Sequence, residues 1–267
     1  MAPDHAGYQL RDGRAVFIRS ASAADIPAIA AFYGQLSAES FSTRFLSARP
    51  AESVLRQLAG LERVPGTASA LAFAADRPGP IIGEARYVPT GPAVAELAIA
   101  VGDQEQGRGL GRILLDDLVR RARQAGIDRL GAAVLLANSP MLRLLAPSGW
   151  VLTDPTEGST AFFEISVTGG LPGWPDAAGA RRVLVESRSW FDSAAVAALR
   201  SAGYTVRQCQ GPSRTMGRPC PLVTSGTCRL AAEADLIISL LPDTDADCQA
   251  VIEAHRRLGH RLGPMPE

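Results

Sequence analysis

Gln106-Gly107-Arg108-Gly109-Leu110-Gly111 stands between an apolar strand and an amphipathic helix. Its glycines make a turn whose free backbone N–H groups suit the pyrophosphate of a nucleotide-like ligand. The first N–H groups of a helix lack partners within it and carry the positive end of its dipole, and glycine lets a ligand approach the backbone closely. Just upstream, Leu97, Ile99 and Val101 alternate with Glu96, Ala98 and Ala100. In an extended strand one face is then bulky, and the other sets a carboxylate beside two small side chains, with room for a ligand. A structural alternative stands beside this one: Glu96 pairs with an arginine such as Arg86 on the neighbouring strand.

The elements that must position these groups follow from periodicity. Val94-Ala95-Glu96-Leu97-Ala98-Ile99-Ala100-Val101 reads as a strand, and Leu110, Ile113, Leu114, Leu118 and Ala122 repeat at helical spacing. Upstream, a strand is expected over 16–18, then a helix capped by Ser22, a second helix over 51–61, and strands over 70–75 and 81–88 that form a hairpin. Downstream come a strand over 130–136, a short helix after Asn138, and strands over 150–153 and 160–167. The pattern predicts a mixed α/β domain with a central sheet and flanking helices over residues 8–168.

The 267 residues allow one large domain or two ordinary ones. Arginine and lysine together equal aspartate and glutamate at 27 each, so net charge gives no argument for nucleic acid or an anionic membrane, and neither is expected as a partner. No stretch reaches the ~18 apolar residues of a membrane span and the start lacks a signal-peptide pattern, which predicts a cytoplasmic protein. Every basic residue counted is arginine, and the chain has no lysine. If it modifies lysine ε-amines, the acceptor comes from another molecule.

Gln106-x-x-Gly109-x-Gly111 after a strand, with Asn138 after the next strand, resembles the GCN5-related N-acetyltransferases. The opening segment extends the likeness: Leu10-Arg11-Asp12-Gly13-Arg14 leads to Ile18-Arg19, and Leu36-Ser37-x-Glu39-Ser40 leads to Arg44-Phe45. That combination is similar to the bacterial Pat-type protein lysine acetyltransferases. The resemblance implies that acetyl-CoA is the co-substrate and that the backbone amides of Gln106, Gly107, Arg108, Gly109, Leu110, Gly111 and Arg112 hold its pyrophosphate. It implies that the pantetheine arm lies along the strand at Ile99 and Val101 like an added strand, and that Asn138 bonds the same arm. Asn138 also reads as a plain helix cap, and Arg108 and Arg112 also read as solvent-facing ions.

By the same resemblance Glu96 is the general base. A lysine ε-amine with pKa near ~10.4 is free base only about once in 2,500 at neutral pH, so a base must take its proton before it can attack a thioester. The implied reaction is acetylation of lysine side chains of proteins such as acyl-CoA synthetases. A small-amine N-acetyltransferase and a non-catalytic acyl-CoA sensor are the alternatives. The helix after Asn138 reads Met141-Leu142-Arg143-Leu144-Leu145-Ala146-Pro147 and lacks the tyrosine that many relatives use to protonate the departing thiolate. A thiol with pKa near ~8.5 is a tolerable leaving group with water as the acid.

Residues 169–180 are rich in glycine and proline and read as an interdomain linker. Beyond them, over 181–267, strands over 182–185, 205–209 and 234–241, a helix over 193–202 and another capped by Asp243 describe a small parallel α/β unit, flavodoxin- or receiver-like. It is a candidate regulatory or partner-binding module. Cys209, Cys220 and Cys228 lack the close paired spacing of structural zinc sites, and no metal is expected.

Overall fold

The computed structural model describes residues 5–48, 55–56, 59–60, 64–76, 79–148, 150–157, 159–175, 179–188, 193–212, 220–260 and 262. The chain divides into two compact units, Met1–Leu130 and Gly131–Glu267.

The first unit carries five antiparallel strands in the order β1 (His5–Gln9), β2 (Ala15–Ser20), β3 (Ala68–Ala74), β4 (Gly83–Gly91) and β5 (Val94–Val101). The expected hairpin is β3 with β4, with Ala70 opposite Ala85. Two short helices cover one face. In α1 (Ile26–Gln35), Ile29, Ala30, Phe32 and Tyr33 are buried, and α2 (Ala38–Phe45) is capped by the Ser37 hydroxyl, which accepts from the Ser40 N–H at 3.1 Å. Leu71 on β3 and Ala100 on β5 close that core from the sheet side.

The other face receives α3 (Leu110–Gln124), whose Leu110, Leu114, Leu118 and Ala122 recur every four residues and are fully buried. Gly83 makes the close approach of helix to sheet available, because a Cβ there would stand 3.0 Å from Leu114 Cδ1 and 3.1 Å from Leu110 Cδ2. Neither β1 nor α2 was expected from the sequence. β1 is short and mostly polar, and α2 (Ala-Glu-Ser-Phe-Ser-Thr-Arg-Phe) is built mainly of residues that do not favour helix interiors, held by its cap and by Phe41 in the core. Most of the helix expected over 51–61 lies outside the described residues, as does Arg77-Pro78 of the hairpin turn.

β6 (Arg129–Leu135) begins at the end of the first unit and lies mainly in the second. There the strand order is β6-β8-β7-β10-β9-β11, with β7 (Trp150–Glu157) and β8 (Thr160–Ser166) antiparallel and β9 (Arg182–Glu186), β10 (Thr205–Cys209) and β11 (Leu236–Ser239) parallel. The helices are α4 (Ser139–Leu145), α5 (Ser193–Ser201), α6 (Pro221–Thr224), α7 (Arg229–Ala232) and α8 (Ala246–Arg257). The small parallel sheet expected after residue 181 is present, but the chain's contacts do not divide at the glycine- and proline-rich segment. Trp174 of that segment is buried and donates its indole N–H to the Leu230 carbonyl at 3.0 Å, and the Gly173 carbonyl accepts from Arg207 at 3.1 Å. Asp245, not Asp243, caps α8: its Oδ1 accepts from the N–H groups of Asp247 and Cys248 at 2.9 and 3.1 Å. No helix among the described residues is long and apolar enough to cross a membrane.

Candidate functional site: a glycine turn and an exposed carboxylate

After β5 the chain makes a short 3-10 turn, Asp103–Glu105, and then the glycine turn. Gly107 and Gly109 have φ of 75° and 94°, a region that side-chain-bearing residues avoid, which explains glycine at both. Gly109 is the N-cap of α3 and its carbonyl accepts from the Arg112 N–H at 3.1 Å. Among the described residues the N–H groups of Arg108, Gly109, Leu110 and Gly111 meet no protein acceptor. They open a helix of 15 residues, long enough to develop the dipole that favours an anion at its start.

The turn is fixed from two sides. The Gln106 carboxamide donates to the Val101 carbonyl at 3.2 Å and to the Ser40 hydroxyl at 3.0 Å. The carboxylate of Asp103 accepts from the hydroxyls of Ser37 and Ser40, each at 2.6 Å, and those bonds hold its pKa below the ordinary carboxylate value against the opposing effect of burial. The start of α2, the end of β5 and the turn therefore form one hydrogen-bonded group. On the other side the β1–β2 turn docks: the Arg11 N–H donates to the Arg108 carbonyl at 3.0 Å, and Nη1 of Arg14 donates to both carboxylate oxygens of Glu105 at 2.8 Å.

The arginines sort themselves by partner. Arg108 pairs with Asp12 at 3.3 Å and Glu105 at 3.5 Å, and Arg112 with Asp116 at 2.8 Å. Arg11, which the sequence reading did not single out as a binding residue, is exposed and has no carboxylate partner among the described residues. Its side chain comes within 3.4 Å of where a Cβ on Gly109 would stand, so the unpaired cation lies against the turn.

Glu96 is exposed on β5 and has no hydrogen-bond or ion-pair partner among the described residues. The cross-strand neighbours of its face are Val88 opposite Glu96, Arg86 opposite Ala98 and Glu84 opposite Ala100. Arg86 is directed into the core, where its Nε donates to Glu84 at 2.5 Å and its Nη2 to the Tyr33 hydroxyl at 2.6 Å. Burial and the nearby Glu84 carboxylate push the Tyr33 phenol up, so it stays a neutral hydrogen-bonding group. Arg44 lies 3.6 Å from the other oxygen of Glu84. Ile99 and Val101 are half-buried further along β5.

Asn138 belongs to the second unit, where its Oδ1 accepts from the Met141 N–H at 3.1 Å and caps α4.

Residues 35–150 match the acetyltransferase (GNAT) family. The chain is 31% identical over 151 residues to acetyltransferase Pat of Mycolicibacterium smegmatis, an alignment that takes in 55% of this chain and 45% of that protein. It therefore spans less than half the length of that relative. It is 30% identical over 132 residues to the L-methionine sulfoximine/L-methionine sulfone acetyltransferase of Pseudomonas aeruginosa, covering 48% of this chain and 75% of the relative. Among solved structures it is similar to the GNAT domain of S. lividans PAT, with a TM-score of 0.54 at 26% identity over 62% of this chain and 98% of that one. By this agreement of sequence and fold, the chain belongs to the GCN5-related N-acetyltransferase family.

Proposed function

We propose that this protein transfers the acetyl group of acetyl-CoA to a primary amine, that the acceptor is a lysine side chain of another protein, and that Glu96 is the general base. The observation that carries the reading is the carboxylate of Glu96, without a partner among the described residues, on the strand that leads through one short 3-10 turn to the glycine turn, whose amides meet no acceptor among those residues. Glu96 precedes the end of β5 by five residues, roughly 17 Å of extended strand. A pantetheine arm running back from a pyrophosphate at the turn, bonded along Ile99 and Val101, delivers a thioester toward that carboxylate.

In this scheme Glu96 accepts a proton from the ammonium, directly or through water. The freed amine attacks the thioester carbonyl, the tetrahedral adduct collapses with cleavage of the C–S bond, and the surplus proton on nitrogen passes to water as water protonates the departing thiolate. The amides of Gln106 to Arg112 serve the diphosphate, with Arg11 adding a positive charge beside Gly109. Asn138 is assigned to the pantetheine arm through its carboxamide N–H groups, its oxygen being committed to the helix cap. The transferase domain in this functional sense runs over 8–168, and residues 181–267 are assigned a regulatory or partner-binding role.

The lysine-free sequence fits transfer to another molecule, as does the similarity to a Pat acetyltransferase. A small amine is the second reading, favoured by the relatives that act on methionine sulfoximine and methionine sulfone. Both are tested together by following acetyl transfer from acetyl-CoA to folded acyl-CoA synthetases and to a panel of amino acids and polyamines. Turnover on the proteins exceeding that on every small amine supports the first reading, and the reverse order overturns it in favour of the second.

A further inference from the structure

The second unit contains a cavity that acetyl transfer leaves unused. Glu186, at the carboxyl end of β9, lines it and is only 4% exposed. Its Oε1 lies 2.9 Å from Nε2 of His255, which is 1% exposed, and Nδ1 of His255 lies 2.8 Å from Nδ1 of His260. Each of these two contacts needs one proton and one lone pair. If His255 donates from Nε2 to Glu186, then His260 donates to Nδ1 of His255, and both contacts are satisfied with neutral rings. Burial, with His255 adding to it, lowers the pKa of His260 and so favours that neutral form. Glu186 is then a pure acceptor, and its second oxygen, Oε2, is buried without a hydrogen-bond partner among the described residues. A buried carboxylate oxygen left unmatched is costly, and a donor placed on it recovers that cost.

The surroundings define what that donor can be. Leu184 and Leu230 supply apolar wall, and Cys209, Cys220 and Cys228 supply sulfur. Burial pushes the Cys220 thiol up to about 11 and raises Cys228, so these groups line the cavity as neutral thiols and not as thiolates. Among the described residues no group of three or more His, Cys, Asp or Glu side chains is arranged to hold a metal ion. An anion would meet the carboxylate. The position in the sheet also suits a ligand: Cys209, Glu186 and Ser239 stand in register at the carboxyl ends of three parallel strands ordered β10-β9-β11, where the chain crosses from one side of β9 to the other. The cavity, about 20 Å3, has space for a group of only one or two heavy atoms.

We propose that this cavity of the C-terminal unit binds the head of a small primary ammonium compound, the nitrogen and its one attached carbon inside the cavity, its N–H groups donating to Glu186 Oε2 and that carbon facing Leu184, Leu230 and the thiols. The site is separate from the glycine turn and does not depend on the transferase reading.

The chain has three histidines, His5, His255 and His260, so two of its three imidazoles report on this cavity. The full chain, labelled with 15N-histidine, is titrated with methylammonium chloride and followed by the imidazole nitrogen resonances, with sodium chloride and sodium acetate as controls. The expected result is a saturable shift of two imidazoles with methylammonium alone, with the affinity weakened about tenfold or more in Glu186→Gln, which removes the charge-assisted bond. Cys220→Met, which fills the cavity and keeps Glu186, is expected to abolish the shift and serves as the deciding variant if Glu186→Gln does not fold. No saturable shift, an equal response to sodium chloride, or unchanged affinity in the folded variants overturns the proposal.

Discussion

The backbone N–H of Arg11 donates to the carbonyl of Arg108 at 3.0 Å, which bonds the β1–β2 turn to the glycine turn and leaves the Arg11 side chain against Gly109. The nearby arginines are differently placed: Arg108 is paired with Asp12 and Glu105, and Arg112 with Asp116. Arg11→Ala is therefore expected to raise the KM for acetyl-CoA about fivefold, the effect of one exposed charge-assisted contact, with little change in kcat. The same substitution should weaken the salt dependence of KM. Steady-state kinetics at two ionic strengths checks both, and an unaltered KM would remove Arg11 from coenzyme binding.

Glu96 stands exposed without a partner among the described residues, so its replacement has little structural cost to confuse the kinetics. Glu96→Gln is expected to lower kcat by about 10²- to 10⁴-fold, the usual contribution of a positioned base, while coenzyme A affinity measured by calorimetry stays within about twofold. An undiminished rate would take Glu96 out of the mechanism.

Asn138 carries two roles that one substitution can separate. Aspartate caps helices as well as asparagine but has no carboxamide N–H, so Asn138→Asp is expected to leave the thermal midpoint nearly unchanged and to raise the KM for acetyl-CoA. Asn138→Ala should also cost about 1 kcal/mol of stability through loss of the cap. If Asn138→Asp has wild-type kinetics, the residue is a cap alone.

Removing Glu84 leaves the Arg86 guanidinium, 1% exposed, without the carboxylate that it bonds at 2.5 Å. Urea unfolding of Glu84→Ala is expected to show a loss of about 3 kcal/mol or more, as for other buried ion pairs broken from one side. A loss below about 1 kcal/mol would mean that the core accommodates Arg86 without the Glu84 carboxylate.

Asp25 titrates near 2, below its ordinary 3.8, because Arg19 donates to it and the Ser22 N–H and hydroxyl add to that, against the opposing effect of burial. A depressed folded-state pKa stabilises the fold above the unfolded value and ceases to do so as the proton binds. The stability difference between the wild type and Asp25→Asn is thus expected to be constant at and above pH 5. It should shrink as the pH falls from 3.8 toward 2. Urea midpoints measured across that range test it, and a difference that grows on acidification contradicts it.

Much of the first unit was legible because its signals are local. The alternation along β5, the four-residue recurrence of leucine in α3 and the glycines between them each need only a few neighbouring positions. The Arg112–Asp116 pair, four residues apart on a helix, was also within reach of the sequence. The cap of α8 was misplaced by two residues, since Asp243 and Asp245 have the same chemistry and only the backbone at residue 245 presents its carboxylate to the first amides. β1 and α2 carry weak local signals, and their tertiary contacts make them: β1 by pairing with β2, α2 by Phe41 in the core and Asp103 at its cap.

The sequence by itself determined that a glycine turn joins a strand to a helix and that a carboxylate shares the strand, because positive φ and side-chain alternation are properties of adjacent residues. Tertiary structure decided which charges are spoken for. Glu84 and Tyr33 take Arg86 and leave Glu96 unmatched, Asp12 reaches Arg108 from a distant turn, and His255 meets Glu186 across the second unit. Ion pairs and hydrogen bonds depend on separations of a few ångströms in space, and residues far apart in the chain acquire those separations only when the sheet and helices pack.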